Sequence, residues 1–408
     1  MGDFYQNGEV TTLHNLTNRS VEDMESELLQ FSTTRPMALV LPCLYSELEG
    51  PAIGKIVEEL VKVPYLSKIV IGLDRATEEQ YQTALKFFSR LPQDHVVLWN
   101  DGPRLQAIDK ELKELNLQPK EMGKGRNVWY CLGYLLAEDS VEAIALHDCD
   151  IVTYSRDLLA RLIYPVANPA FQYEFCKGYY ARIANNTING RVCRLLVTPL
   201  LRSLKKIVGH HEYLDFLDSF RYPLAGEFSM RMDVLNDIRI PSDWGLEIGV
   251  LSEMKRNYSV NRICQVDIAD IYDHKHQTVS FDDENAGLSK MSIDISKAIF
   301  RKLATTGVVF SSGTFRSIKA TYFRSALDFV ETYHNDAKIN GLELDIHGEE
   351  KAIELFAENI MKAGSYFLDN PQETPFMPSW TRVKSALPDL GQKFLQAVRE
   401  DIDQYKSF

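Results

Sequence analysis

Two carboxylates stand one residue apart in the segment His147-Asp148-Cys149-Asp150, which follows the apolar run 143–146. A short apolar run is typical of a buried strand, so the acidic pair is expected at the carboxyl end of that strand. Ligands of open α/β sheets collect at this edge of the sheet. Hard divalent cations take oxygen ligands and partner phosphate groups. The pattern therefore predicts a D-x-D metal site, with a solvated strand-end turn as the ordinary alternative.

Two segments in the first half of the chain could serve a nucleotide diphosphate held by such a cation. The turn at residues 41–47 follows an apolar run, and its Glu47 could accept a hydrogen bond from a uracil or ribose group. Gly123-Lys124-Gly125 leads into a helical pattern, where glycines let the backbone approach a ligand and the helix start favours anions. Lys124 could pair with a phosphate or with the donor sugar. The alternatives are a surface turn and a solvated lysine, and the spacing of a P-loop is missing.

Two later segments could complete the site. His274-Lys275-His276 follows the expected strand 263–271, so one histidine could be a further metal ligand and the lysine could hold phosphate. Gly190-Arg191 opens a helical pattern, where backbone N–H groups and a guanidinium fork suit a phosphate or carboxylate. Surface histidines and a helix-start arginine are the alternatives.

Alternating strand and helix patterns must position these residues. Strand patterns occupy 37–42, 68–72, 95–99 and 143–146, and helical spacing occupies 54–63, 77–91 and 125–137. Thr77 and Gln80 predict a capping box at the start of the second of these helices. The alternation predicts right-handed crossovers and a parallel, doubly wound sheet. Further strands are expected at 171–182, 228–232 and 263–271, and a further helix at 190–208.

Length and periodicity together predict three parts. A chain of 408 residues exceeds one ordinary core. Residues 1–34 form a polar arm with a helix at 21–31, residues 35–290 form the α/β domain, and residues 291–408 form a helical extension.

Composition excludes several classes of protein. A formal charge of −12 argues against nucleic-acid binding, which needs a basic face. The apolar runs are too short to span a bilayer, and the first residues show no secretory signal, so no membrane partner is expected. Six scattered cysteines without a C-x-x-C pair favour a reduced, cytoplasmic protein.

Several motifs in unbroken order carry a resemblance to a known family. Pro223-Leu224-Ala225-Gly226-Glu227-Phe228 is followed by Gly245-Leu246-Glu247-Ile248-Gly249 and then by the His274 loop. With the G-K-G, the D-x-D and Gly190-Arg191-Val192, this order resembles the retaining glycosyltransferases that make glucosyl-3-phosphoglycerate. A more distant similarity to mannosylglycerate synthases is carried by residues 72–75 and 242–245. The chain departs from the first family at Gly72-Leu73-Asp74, where a serine is common, and at Lys275-His276-Gln277.

The resemblance implies a GT-A fold, α/β with a Rossmann-like and mostly parallel sheet, followed by the helical addition. It also implies a cofactor, Mg²⁺ or Mn²⁺, held by Asp150 and His274. The implied reaction transfers a hexose, first of all glucose, from a nucleoside-diphosphate sugar to the 2-hydroxyl of 3-phosphoglycerate with retention. Family habit and the apolar stripe of the extension suggest a homodimer.

The resemblance also implies individual roles. The residues expected to bind the nucleotide sugar are Pro42, Leu44, Glu47, Lys124, Asp148 and Cys149. The residues expected to bind the acceptor are Gly190, Arg191, Lys275 and His276. The residues expected to act in catalysis are Asp150, Lys124, Leu224 through its backbone carbonyl, and Glu247.

Three alternatives remain open on the sequence. One alternative is mannosyl transfer from GDP-mannose to 3-phosphoglycerate or to its glucosylated form. An enzyme tells the two hexoses apart by the residues that contact one sugar hydroxyl, and the sequence does not place those residues. A sugar nucleotidyltransferase would also use a strand-end acidic site, but it would need a Gly- and Arg-rich loop, which residues 42–50 lack. A non-catalytic binding module is disfavoured because both predicted metal ligands and Lys124 are present.

Overall fold

A computed structural model describes residues 6, 8–17, 19–119, 121–274, 287–372 and 375–406. Its centre is a sheet of nine strands in this described part of the chain, in the order β1-β9-β6-β8-β5-β2-β3-β4 with β7 paired to β6. The strands are β1 Thr11–Leu13, β2 Met37–Leu44, β3 Leu66–Asp74, β4 Asp94–Trp99, β5 Ala143–Leu146, β6 Phe175–Ala184, β7 Thr187–Ile188, β8 Phe228–Arg231 and β9 Ile263–Tyr272.

The helices alternate with the strands up to β5 and then predominate. They are α1 Val21–Phe31, α2 Ala52–Leu60, α3 Glu78–Phe88, α4 Pro103–Glu114, α5 Lys124–Glu138, α6 Arg156–Ala167, α7 Thr198–Val208, α8 Glu212–Asp218, α9 Met232–Leu235, α10 Leu246–Asn257, α11 Gly287–Thr305, α12 Ser312–Ile339, α13 Ile346–Asp369, α14 Trp380–Ala386 and α15 Leu390–Tyr405. Short 3₁₀ turns lie at Tyr45–Glu49 and Val260–Arg262, and a π-helical segment, Val192–Val197, leads into α7.

The sheet is mostly parallel, which confirms the expected fold class. Strand β8 is the exception in its interior, because it runs antiparallel to both β5 and β6. Reversal on both sides leaves β5 and β6 parallel to each other, and β9 is parallel to β6. The carboxyl ends of β5 and β9 therefore meet at one edge of the sheet.

Two apolar cores cover the two faces of the sheet. Helices α1, α2, α3 and α6 bury one face, and α5, α7 and the C-terminal helices bury the other. The capping box predicted for α3 is present, with Thr77 and Gln80 each accepting the other's backbone N–H. This reciprocal pairing satisfies donors that a helix start would otherwise leave without partners.

The C-terminal extension is helical, as predicted, and it packs against the α/β domain. Trp380 of α14 stacks on Trp129 of α5 with ring centroids 4.2 Å apart. Each indole N–H donates to a backbone carbonyl of the opposite segment, Trp129 to Pro378 at 2.9 Å and Trp380 to Trp129 at 3.1 Å. These buried contacts fix the extension on the domain, while the division at residue 290 stays a prediction.

The structure contains strands and helices that the sequence patterns did not predict. The N-terminal arm contributes β1 to the edge of the sheet, beside β9, in addition to its helix. Helices α4, α6, α8, α9 and α10 and the short strand β7 were not predicted from the sequence. Pro165 lies inside α6, where proline normally ends a helix. Among the described residues, no helix is long and apolar enough to cross a membrane.

Candidate active site

Asp148, Asp150 and His274 converge at the edge where β5 and β9 end. Asp148 and Asp150 follow β5, and His274 follows β9. A bridge pairs Ile151 with His274, and Val152 donates its N–H to the Asp273 carbonyl at 2.9 Å. Potential ligand atoms of the two aspartates and the histidine all lie within 4.8 Å of one another. The sequence assigned the cation to Asp150 and His274, and the structure places Asp148 within reach of the same point.

The electrostatics and the donor atoms of this cluster suit a divalent cation. Burial and the neighbouring Asp148 raise the pKa of Asp150 to about 7. Burial would also raise the pKa of Asp148, but the adjacent Lys124 ammonium outweighs it and lowers that pKa. The buried Oδ1 of Asp150 has no hydrogen-bond partner in the described part of the chain. Two carboxylates and an imidazole are a fitting donor set for Mg²⁺ or Mn²⁺.

Lys124 links the two acidic groups on either side of it. It is the first residue of α5, and its Nζ lies 2.7 Å from Asp148 Oδ1 and 3.3 Å from Glu247 Oε1. Burial opposes its charge, but Asp148 and Glu247 more than compensate and raise the pKa of Lys124. Glu247 lies in the first turn of α10. The structure thus brings together three residues that the sequence placed in the catalytic or donor-binding site.

The segment 223–227 passes directly over this ion pair. A Cβ added at Gly226 would lie 2.4 Å from Asp148 Oδ2 and 2.8 Å from Lys124 Nζ. Only glycine fits at such a distance, which explains why this position needs a residue without a side chain. Leu224 stands two residues earlier in the same segment and is half-buried.

Two buried ionisable residues, Lys177 beneath this segment and Glu227 at its end, were not assigned a role from the sequence. Lys177 of β6 donates from Nζ to the Ala225 carbonyl at 2.5 Å, and burial lowers its pKa to about 8. Glu227 accepts hydrogen bonds from Tyr180 at 2.7 Å and Tyr272 at 2.6 Å, and burial with nearby Asp148 raises its pKa. Lys177 carried one signal in the sequence, since it interrupts the otherwise uncharged stretch 175–181 of its strand.

The expected nucleotide-binding residues line the neighbouring part of the edge. Pro42 and Leu44 belong to the end of β2 rather than to a loop, and Glu47 lies in the 3₁₀ turn that follows. All three are partly accessible. Cys149 is only 3% exposed. Its side chain lies in the core, so its backbone is the part that could contact a ligand.

Two of the four expected acceptor-binding residues, Gly190 and Arg191, lie just before the π-helical segment. Gly190 has φ of +78°, a left-handed conformation that favours glycine. The Arg191 side chain is 33% exposed, and its Nε donates to Glu349 of α13 at 2.6 Å. Lys275 and His276, the other two residues of this set, lie outside the described residues.

Comparison with known proteins decides the family. The chain is 49% identical over 401 residues to glucosyl-3-phosphoglycerate synthase of Persephonella marina, a match that covers 98% of this chain and 99% of that protein. It is 40% identical over 407 residues to the enzyme of the same name from Methanococcoides burtonii, with 99% of each covered. The chain belongs to the glucosyl-3-phosphoglycerate synthase family. No protein-family model matches the sequence.

Solved structures of this glucosyl-3-phosphoglycerate synthase family share the fold. Glucosyl-3-phosphoglycerate synthase of Mycobacterium tuberculosis, in complex with Mn²⁺, UDP-glucose and phosphoglyceric acid, aligns with a TM-score of 0.53 at 20% identity. The alignment covers 74% of this chain and 89% of that one. The same enzyme with Mg²⁺ and UDP gives a TM-score of 0.52. The GT-A architecture expected from the sequence is thereby confirmed.

Proposed function

We propose that this chain transfers glucose from UDP-glucose to the 2-hydroxyl of 3-phosphoglycerate, with retention at the anomeric carbon and with Mg²⁺ or Mn²⁺ as cofactor. The observation that carries the proposal is the convergence of Asp148, Asp150 and His274 beside Lys124. Membership of the family supports a glycosyltransferase over a nucleotidyltransferase. The family's complexes with UDP-glucose and phosphoglyceric acid support these substrates.

The chemistry needs charge stabilisation at a diphosphate leaving group. A cation held by Asp150 and His274, with Asp148 near it, would act as a Lewis acid on the diphosphate oxygens, an effect worth several kcal/mol. Lys124 is the protein's own cation at this place, since its Nζ lies against Asp148. The partly accessible Pro42, Leu44 and Glu47 would hold the uridine beside it.

The arrangement favours attack on the same face from which the leaving group departs. In that reaction the bond from the anomeric carbon to the phosphate oxygen breaks, the bond to the acceptor's 2-oxygen forms, and the departing phosphate oxygen takes the hydroxyl proton. A covalent route would need a free carboxylate at the sugar. Glu227 is held on both oxygens by tyrosine hydroxyls, and Glu247 is paired with Lys124. We therefore assign Glu247 to positioning and the Leu224 carbonyl to the reacting sugar.

The acceptor's charged groups would lie against Gly190 and Arg191. Backbone N–H groups at this helix start and the partly exposed guanidinium suit a phosphate or carboxylate. Lys275 and His276 would add positive charge from the segment after His274.

A cytoplasmic location and a homodimer remain predictions, the first supported by six buried cysteines that are all free thiols.

One assay separates this function from transfer of another sugar or transfer to another acceptor. Purified protein is incubated with Mn²⁺, with UDP-glucose or GDP-mannose as donor, and with 3-phosphoglycerate or glycerate as acceptor. We expect nucleoside diphosphate release to be greatest with UDP-glucose and 3-phosphoglycerate, and NMR to identify an α-linked product. Faster turnover with GDP-mannose, or a β-linked product, would contradict the proposal.

A further inference from the structure

One buried carboxylate of the C-terminal extension holds both arginines at the predicted acceptor site. Glu349 of α13 is 1% exposed. Its Oε1 accepts from Arg191 Nε at 2.6 Å and its Oε2 accepts from Arg194 Nη1 at 2.8 Å. A buried carboxylate shared by two guanidinium groups is a strong, directional contact, because both hydrogen bonds are charge-assisted.

Arg194 in turn supports the backbone around Gly190. Its Nε donates to the Asn189 carbonyl at 2.8 Å and its Nη2 donates to the Ile188 carbonyl at 3.3 Å. Its guanidinium lies 4.7 Å from the ring centroid of Tyr333 in α12. The left-handed turn at Gly190 is thus tied through Arg194 to two helices of the extension.

Two further contacts join the extension to the same segment. The Tyr322 hydroxyl of α12 donates to the Leu195 carbonyl at 2.6 Å, inside the π-helical segment. The wide turn of a π-helix leaves carbonyls displaced from the regular pattern, and such segments occur frequently at functional sites. Glu343, in the connection before α13, donates its N–H to the Asn186 carbonyl at 2.8 Å. The extension therefore contacts the chain on both sides of Gly190.

The contact between Glu349 and Arg191 uses Nε and neither of the two terminal nitrogens. Within the described ranges, the Arg191 side chain makes no other ion pair or hydrogen bond. The terminal nitrogens Nη1 and Nη2 form the fork that suits a carboxylate or phosphate. Two guanidinium groups against one carboxylate also leave an excess positive charge at this place.

We propose that Glu349 is a positioning residue for the acceptor: it orients Arg191, and it makes the C-terminal extension part of the acceptor site. This inference rests on the proposed function, since it assumes that Arg191 binds 3-phosphoglycerate. It also gives the extension a role in substrate binding.

The test compares Glu349→Gln with a matched control, Glu354→Gln, an exposed glutamate on the same helix. Kinetics with 3-phosphoglycerate and UDP-glucose are measured together with 3-phosphoglycerate affinity by calorimetry. We expect Glu349→Gln to raise the acceptor KM and Kd about tenfold, equivalent to about 1.4 kcal/mol. The KM for UDP-glucose should stay near the wild-type value, and the control should match the wild type. An unchanged acceptor KM and Kd would overturn the inference.

A double-mutant cycle distinguishes positioning from general support. If Glu349 acts through Arg191, adding Glu349→Gln to Arg191→Ala should change the acceptor affinity by less than about twofold. The same loss in both backgrounds would overturn the inference. Should Glu349→Gln fail to fold, Glu349→Asp replaces it, because it keeps the charge but withdraws the carboxylate by one methylene. A wild-type enzyme that binds 3-phosphoglycerate but transfers no glucose would contradict the proposed function, while the calorimetric comparison would still decide the role of Glu349.

Discussion

Lys177 donates a hydrogen bond from Nζ to the carbonyl of Ala225 at 2.5 Å, from a position where it is 1% exposed. Burial lowers the pKa of this lysine to about 8. Burying an ammonium group costs free energy unless the group has a hydrogen-bond partner, so the folded state favours this contact with the Ala225 carbonyl. Ala225 is adjacent to Leu224, so Lys177 fixes the backbone from which the Leu224 carbonyl would reach the sugar.

Replacing Lys177 should therefore affect the reaction more than the binding of donor. We expect Lys177→Met to lower kcat about tenfold or more while the KM for UDP-glucose changes little, because an interaction made mainly in the transition state is weakened. Steady-state kinetics would measure both constants. Lys86→Met, at an exposed position of α3, is the matched control. A wild-type kcat in the Lys177 variant would refute the role.

Lys124 should matter for both donor binding and turnover. Its ammonium lies against Asp148 and Glu247, and removing it leaves two partly buried carboxylates beside an anionic substrate. We expect Lys124→Met to reduce kcat/KM for UDP-glucose by about 10²-fold, the scale seen when one electrostatic partner is lost from an active site. Lys110→Met, exposed on α4, serves as the comparison. Equal kcat/KM in the two variants would contradict the assignment.

Replacing Asp150 should abolish activity without lowering the stability of the metal-free protein at pH 8. Its pKa is raised to about 7, so above that pH the ionised carboxylate opposes folding in the absence of metal. At pH 8 without metal we expect Asp150→Asn to have a Tm equal to or above that of the wild type, and glucose transfer should be lost. Mn²⁺ should raise the Tm of the wild type and not that of the variant. Differential scanning fluorimetry with and without Mn²⁺ measures both effects, and a variant that Mn²⁺ stabilises as much as the wild type would argue against Asp150 as a ligand.

Asp243 should give the protein a pH-dependent stability. Burial and the neighbouring Asp294 raise its pKa to about 6 from an ordinary value of 3.8, and its Oδ1 accepts from Gly245 N–H at 2.9 Å. The folded state then holds more protons than the unfolded state between these two pH values, so stability attributable to this group falls as pH rises through that window and stays reduced above it. Asp243→Asn keeps an acceptor for Gly245 and removes the charge.

Denaturant unfolding of the two proteins from pH 4 to pH 8 tests this. We expect the variant to become progressively more stable than the wild type as pH rises to about 6, with a gap of up to about 3 kcal/mol thereafter, since a pKa unit is worth about 1.4 kcal/mol. A constant difference across the whole range would exclude the titration of Asp243 as its cause.

The metal cluster was predictable because its residues follow strands. Asp150 stands four residues after the apolar run 143–146, His274 stands three residues after the expected strand 263–271, and parallel strands present their carboxyl ends at one edge. Strand β8 was harder, since a short run of residues carries no information about its direction in the sheet. Its antiparallel course was fixed only by pairing with β5 and β6.

The supporting residues were less predictable for a physical reason. The pairing of Glu349 with Arg191 joins residues 158 positions apart. It depends on how α13 packs on the π-helical segment, and helical periodicity says only which face of α13 is buried. Buried Glu349 breaks that pattern by lying on the apolar face, which would have been the only signal. Glu227 was part of a motif in the sequence. Its tyrosine partners could not be predicted, because they lie on β6 and β9 and only the order of strands in the folded sheet brings them to Glu227.

The proposed function depends on one divalent cation that Asp150 and His274, which follow two separate strands, hold together. Anomalous diffraction at the manganese edge, from crystals grown with Mn²⁺ and UDP, would locate this cation. We predict a single strong peak coordinated by Asp150 and His274, next to the diphosphate and with Asp148 close by. A peak bound elsewhere, or a His274 imidazole more than ~6 Å from the cation, well beyond any coordination distance, would contradict the account.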